Sequence, residues 1–345
     1  MSNRNKDFLI EVDDLHVRFT TDIGIVKAVN GVSFRIKPGQ SVGIVGESGC
    51  GKSVTSYSIL RLLPTVGEIT AGQINFKRED GKVQDLTQLA ASGKEIRTIR
   101  GNEISMIFQE PMTAFSPVHT INNQIMESIL QHQDISKAAA REKVIELLNL
   151  VGISNPEKKV DSYSFEFSGG MRQRAMIAMA LACNPRLLIA DEPTTALDVT
   201  IQAQVLELIK KAQRDFDLSL MLITHDLGVI AHMVEHVYVM YLGRVIEDGA
   251  VEQIFDNPKH PYTRDLLKSI PKLKGVTGKL SSIKGSVPDP YLKLKGCPFH
   301  TRCQDIVGNM CKEKMPRRKE MELDHFVNCY LYTDEGVDTD VRNAG

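Results

Sequence analysis

No stretch of this 345-residue chain is apolar for long enough to cross a bilayer, which takes roughly eighteen to twenty residues. The longest apolar run, Ala175 to Cys183, covers nine residues between Arg174 and Asn184. The polar, mixed-charge stretch Met1 to Asp14 lacks the apolar core of a secretory signal. A cytoplasmic protein is expected, with any membrane role coming through a partner. Net charge is equally scarce: 42 Lys and Arg face 43 Asp and Glu, so no global field draws the chain to nucleic acid or anionic lipid. No internal repeat is found. Disulfides are poor candidates too, because the cytoplasm keeps thiols reduced. Of six cysteines, Cys50 and Cys183 stand alone, while Cys297, Cys303, Cys311 and Cys329 fall within the last fifty residues. That clustering asks for a metal explanation. What remains is an ordinary globular balance, 42% hydrophobic and 25% charged, with length enough for two domains or one domain with an appendix.

Short apolar runs separated by turn residues open the chain. Val29 to Ile36 and Gln40 to Val45 read as strands parted by Lys37-Pro38-Gly39. Ser53 to Leu63 has helical spacing and stops at Pro64. Thr120 to Val151 reads as largely helical, with Val144, Ile145, Leu147, Leu148 and Val151 on one face. Leu187 to Ala190, Leu220 to Thr224 and Val237 to Tyr241 suit buried parallel strands. Strands alternating with helices predict an α/β fold. Beyond Gly249, Pro258, Pro261, Pro271, Pro288 and Pro290 interrupt the pattern, which places a boundary near 255–275.

The strand ending at Val45 runs into Gly46, Glu47, Ser48, Gly49, Cys50, Gly51, Lys52 and Ser53, and a helix follows. This is the G-x-x-x-x-G-K-[ST] phosphate loop in the context it requires. Its glycines let backbone N–H groups converge on a phosphate, and the helix N-terminus adds positive charge. Lys52 is expected on the β and γ phosphates of ATP, and the Ser53 hydroxyl on Mg²⁺. Leu187 to Ala190 then delivers Asp191 toward the Mg²⁺ shell, with Glu192 one residue on to polarise an attacking water.

Ser168-Gly169-Gly170-Met171 resembles the Leu-Ser-Gly-Gly-Gln signature of ABC ATPases, with Phe167 and Met171 at the two departures. Such a helix start can hold a γ-phosphate, and the resemblance assigns that phosphate to the partner subunit's ATP. Phe108-Gln109 resembles the Q-loop, whose Gln109 would touch Mg²⁺ and report nucleotide state to membrane subunits. Ala196-Leu197-Asp198 resembles the D-loop, with Asp198 crossing the dimer interface, and His225 resembles the switch histidine on the γ-phosphate. Phe19 is the candidate for stacking on adenine. The resemblance spans about 8–260 and implies a P-loop NTPase of the ABC type, a RecA-like core with a β-subdomain and an α-helical subdomain at about 112–170. The ATPase domain is assigned to 1–260, a C-terminal segment to 261–332, and an acidic, unstructured tail to 333–345.

Several strings are similar to the oligopeptide/dipeptide importer ATPases: Gly46-Glu47-Ser48-Gly49, Gln109-Glu110-Pro111-Met112-Thr113, Ala190 through Gln204, His260-Pro261-Tyr262-Thr263, and Gly296 through Cys303. The subfamily imports di- and oligopeptides, while relatives carry nickel or plant-type sugars. It implies a related, non-identical ATPase partner, two transmembrane permeases and an extracytoplasmic binding protein, with this chain peripheral on the cytoplasmic face of the membrane. A soluble ABC ATPase of DNA repair or translation is the alternative without a membrane partner. Cys297, Cys303, Cys311 and Cys329, spaced C-x5-C-x7-C-x17-C, can satisfy Zn²⁺ or a [4Fe–4S] cluster. The wide spacing and the subfamily favour the cluster as a structural staple; redox sensing and four metal-free thiols are the other readings. The segment is expected to pack apart from Gly46–Ser53.

Overall fold

The computed structural model describes residues 8–109, 114–195, 197–269, 283–292 and 294–333. Two sheets carry the architecture. β1 (Ile10–Thr20) and β2 (Ile25–Ile36) form an antiparallel hairpin, β3 (Ser41–Val45) leaves for the larger sheet, and β4 (Gly67–Lys77) with β5 (Val83–Asp85) completes the smaller one in the order β2-β1-β4-β5. In β1, Ile10, Val12, Leu15 and Val17 are buried while Asp13, Asp14 and Arg18 are exposed, as a half-covered antiparallel sheet requires.

β6 (Ile104–Ile107), β7 (Leu187–Asp191), β8 (Ser219–Ile223), β9 (His236–Tyr241), β10 (Arg244–Ala250), β11 (Lys319–Glu322) and β12 (His325–Val327) join β3 in the order β11-β12-β10-β9-β3-β8-β7-β6. β3, β6, β7, β8 and β9 run parallel. β3, β7 and β8 are buried at every position, because both faces of the parallel part are covered. The three apolar runs expected as parallel strands all lie there.

Two helical expectations are adjusted. The helix after the phosphate loop spans Lys52–Ile59 and stops before Pro64, because Arg61 turns left-handed at φ 54°. The long helical stretch divides into Ile121–His132 and Lys137–Leu150, since Gln133 is extended and Ser136 caps the second helix through Ala139 N–H. Val144, Leu147, Leu148 and Val151 pack into the same core as Ile125, Ile129 and Met176.

The C-terminal segment does not pack apart. β12 pairs with β10 and extends the main sheet, and Cys297 and Phe299 lie in the core that contains Val45, Tyr241 and Tyr262. Glu247, fully buried on β10, accepts from the backbone of Lys259 and His260 and bonds His325 at 2.9 Å. Prolines break the local pattern without preventing long-range pairing, and a local pattern cannot report that pairing. The acidic tail beyond Thr333, Glu110–Thr113, Ala196 and Pro271 lie outside the described residues.

Candidate nucleotide site

Four adjacent parallel strands, β3, β8, β7 and β6, end on one edge. Open α/β sheets bind ligands beyond the carboxyl ends of their strands, and most of the expected site residues gather there. Gly46 to Ser53 follow β3, Gln109 follows β6, Asp191 ends β7 with Glu192 next, and His225 follows β8.

The loop's shape depends on its glycines. Gly51 sits at φ 100°, and a Cβ there would come within 2.3 Å of Ala28 O; one on Gly46 would meet Met240 O at 2.2 Å. Only glycine permits both the dihedral and the approach. Lys52 is buried and folds back over the loop, its Nζ donating to Gly46 O at 2.8 Å and Glu47 O at 3.1 Å. Cys50 points inward, and burial raises its thiol.

Ser53 Oγ donates to Asp191 Oδ1 at 3.1 Å, linking loop and strand end. Asp191 Oδ2 is buried with no hydrogen-bond partner. Burial pushes this carboxyl up to about 6, so the strand end places a costly anion where a cation would relieve it. The adjacent carboxylate behaves oppositely. Burial alone would raise Glu192, but hydrogen bonds from Thr195 and His225 overcome it and hold the group below its ordinary value. Glu192 accepts from Gln109 Nε2 at 3.1 Å and Thr195 Oγ1 at 2.9 Å, and pairs with His225 Nδ1 at 3.2 Å. Its backbone is left-handed, φ 47°, which is uncommon outside glycine and turns the side chain out of the strand's alternation.

Other expected residues lie elsewhere. Ser168 caps the helix Gly169–Leu181, accepting from Met171 N–H at 3.3 Å, and space around Gly169 is open. Asp198 is exposed and caps the helix Val199–Asp215 through Ile201 N–H. Phe19 is half-buried with its ring against Gly67. A cavity of about 730 Å³ adjoins the phosphate loop at Gly49 and is walled by Val26, Arg244 and Tyr291.

Cys297, Cys311 and Cys329 are buried, Cys303 is half-buried, and all four are free thiols. Burial, with a smaller push from neighbouring thiols, raises Cys297 to about 12 and Cys329 to about 11. The expected cysteine-rich segment holding a [4Fe–4S] cluster or zinc is not supported: among the described residues, no group of three His, Cys, Asp or Glu could hold a metal ion.

Sequence reasoning missed Thr195 and the contacts of Tyr262 and Arg302 with Glu47. Tyr262 and Arg302 stand inside quoted strings, but nothing in their spacing pointed at the phosphate loop.

Residues 29–195 match the ABC transporter family, and residues 246–311 match the C-terminal region of oligopeptide/dipeptide transporters. The structure resembles a dimeric bacterial ABC transporter cassette, MJ0796, with a TM-score of 0.61 at 25% identity, over 70% of this chain and 98% of that one. Fold and site thus define an ATPase of the ABC type, a class that binds ATP with Mg²⁺. The dipeptide transport ATP-binding protein DppD of Bacillus subtilis is 51% identical over 94% of both chains. A probable peptide ABC transporter ATP-binding protein of Sinorhizobium fredii is 48% identical over 95% of this chain and 96% of its own. The chain belongs to the ATP-binding proteins of peptide ABC transporters. Among the described residues no helix is long and apolar enough to cross a membrane.

Proposed function

We propose that this chain is one of two ATPase subunits that close over ATP and drive import of di- or oligopeptides through two permeases, from the cytoplasmic face of the membrane. An extracytoplasmic binding protein would deliver the cargo. The observation that carries the reading is Glu192, gripped by Gln109, Thr195 and His225 beside the unpartnered Asp191 Oδ2. Ser53, Asp191 and Gln109 would hold Mg²⁺, which supplies charge neutralisation at the transferred phosphate. Lys52 meets the β and γ phosphates once it releases the loop carbonyls. Glu192, kept ionised by its partners, takes the proton of the attacking water, and His225 orients the γ-phosphate. Ser168, Gly169 and Gly170 present free N–H groups to the partner's ATP, Asp198 crosses the seam, and Phe19 stacks on adenine.

The test is nucleotide-driven dimerisation with the partner ATPase. Glu192→Gln should accumulate an ATP-bound dimer in size-exclusion chromatography, whereas the nucleotide-free chains run as monomers. Full ATPase turnover in a demonstrably monomeric sample would refute the shared site. Peptide uptake into vesicles carrying the whole transporter tests the cargo, and uptake of nickel or an oligosaccharide instead would replace it.

A second reading concerns the four cysteines. We take Cys297, Cys303, Cys311 and Cys329 as thiolate ligands of a [4Fe–4S] cluster with a structural role. Supporting it, the four are free and lie near enough for their thiolates to repel one another. Val307 N–H also points at Cys311 Sγ, 3.4 Å away. Anaerobic purification should give brown protein with about four irons per chain. Colourless protein without iron or acid-labile sulfide would reject this assignment.

A further inference from the structure

The phosphate loop is gripped from outside by the C-terminal segment. Arg302 lies in the turn between Cys297 and Cys303, and its own N–H donates to Phe299 O at 2.9 Å. Its side chain is only 3% exposed. Nη1 donates to Glu47 Oε2 at 2.6 Å and Nη2 to Glu47 Oε1 at 3.2 Å. Such a two-point pair fixes orientation as well as distance. Its other hydrogen bonds go to Lys284 O at 3.1 Å, Ile283 O at 3.4 Å and the Tyr241 hydroxyl at 3.3 Å. The guanidinium is therefore held on every side before it reaches the loop.

Glu47 is tied at three points. Arg302 holds its carboxylate, Tyr262 hydroxyl accepts from its N–H at 2.9 Å, and Lys52 Nζ donates to its carbonyl at 3.1 Å. Tyr262 is itself immobilised between Tyr241 and Phe299, at ring distances of 4.7 and 5.4 Å. The loop between these anchors has left-handed glycines at 46, 49 and 51, residues that lose the most freedom on ordering. A cradle of backbone N–H groups binds phosphate well only when they already converge, and order imposed in advance lowers the cost of binding.

We infer that Arg302 is a positioning residue of the nucleotide site: through Glu47 it holds the phosphate loop in its binding shape and so sets affinity for ATP without touching the nucleotide. The inference rests on reading Gly46–Ser53 as the phosphate loop. The test is equilibrium titration of the full chain with Mg²⁺ and fluorescent ATP, reading affinity and stoichiometry separately. Arg302→Met should weaken binding about tenfold, the order of coupling within a shared network, with one site per chain retained. Mere structural damage would instead lower the stoichiometry and leave the remaining sites at unchanged affinity, which would overturn the inference. Glu47→Gln should weaken binding similarly, and the double variant should be no worse than either single. Should Arg302→Met fail to fold, Glu47→Gln decides by the same readout, and unchanged affinity there rejects the inference. Lys52→Ala separates the two levels: if it binds ATP as well as the unchanged chain, the phosphate-loop reading fails. If it loses ATP while Glu47→Gln does not, only the role of Arg302 falls.

Discussion

At the carboxyl edge of the main sheet, the candidate site groups sit on strand ends, one or two residues beyond them or, for Ser53, at the start of the helix that follows β3. Ser53 bonds Asp191 at 3.1 Å, and Gln109 and His225 bond Glu192 at 3.1 and 3.2 Å, although these groups follow four different strands. Around the cysteines the opposite holds. Residues 283–318 hold one four-residue helix among the described elements, and their order comes from contacts with the rest of the molecule: Phe299 in the core and Arg302 on Glu47. Strand ends position groups through the ladder's register. Loops position them only through what they lean on, and here they lean on the nucleotide site.

That contrast can be broken most forcefully at Phe299. Truncation to Ala should cost about 3–5 kcal/mol of stability, because the ring is fully buried among Tyr241, Tyr262 and His260. Chemical denaturation measures it, and a loss below about 1 kcal/mol would mean that the segment does not share the core. At the strand edge, Glu192→Gln should cut ATP turnover by about a hundredfold or more while nucleotide binding stays nearly intact. Steady-state hydrolysis beside a binding titration checks both; unchanged turnover would remove Glu192 from the mechanism.

Asp191 offers a smaller test with a definite sign. Its folded-state value is about 6 against 3.8 for the free group, so the folded chain binds a proton in that interval that the unfolded chain does not. Stability therefore falls as pH rises from about 4 to 6, and the full penalty, on the order of 2–3 kcal/mol, is present above that. Asp191→Asn should stabilise the nucleotide-free chain near pH 7.5, with the gain vanishing by about pH 4, as read from denaturant midpoints. A gain independent of pH would exclude the carboxylate as its source. The smallest effect is expected at Ser168, where Ala should cost about 1 kcal/mol by removing the helix cap; an unchanged denaturant midpoint would leave the cap energetically idle.

Much of the strand edge was legible because its chemistry is local. The phosphate loop needs Gly46 and Gly51 for backbone reasons, and Lys52 and Ser53 follow at once in the chain. The buried runs at Leu187, Leu220 and Val237 carry their parallel-strand character in composition alone. The break at Gln133 was less legible, since apolar spacing continues on both sides of it. Arg302 was invisible: 255 residues separate it from Glu47, and an arginine between two cysteines carries no mark of its partner.

The amino-acid order thus determined the α/β class, the phosphate loop and the carboxylate pair that follows β7, because each depends on neighbours a few residues away. Only the tertiary structure decided that Asp191 and Glu192 shift in opposite directions, since burial and the hydrogen bonds of Thr195 and His225 arrive from the fold. It also decided that the C-terminal segment packs against the phosphate loop, through Arg302 and Glu47, rather than standing as an appendix. The reason is physical: the half-buried pair of Arg302 and Glu47 forms only where two surfaces far apart in the chain meet, and no local pattern encodes which surfaces meet.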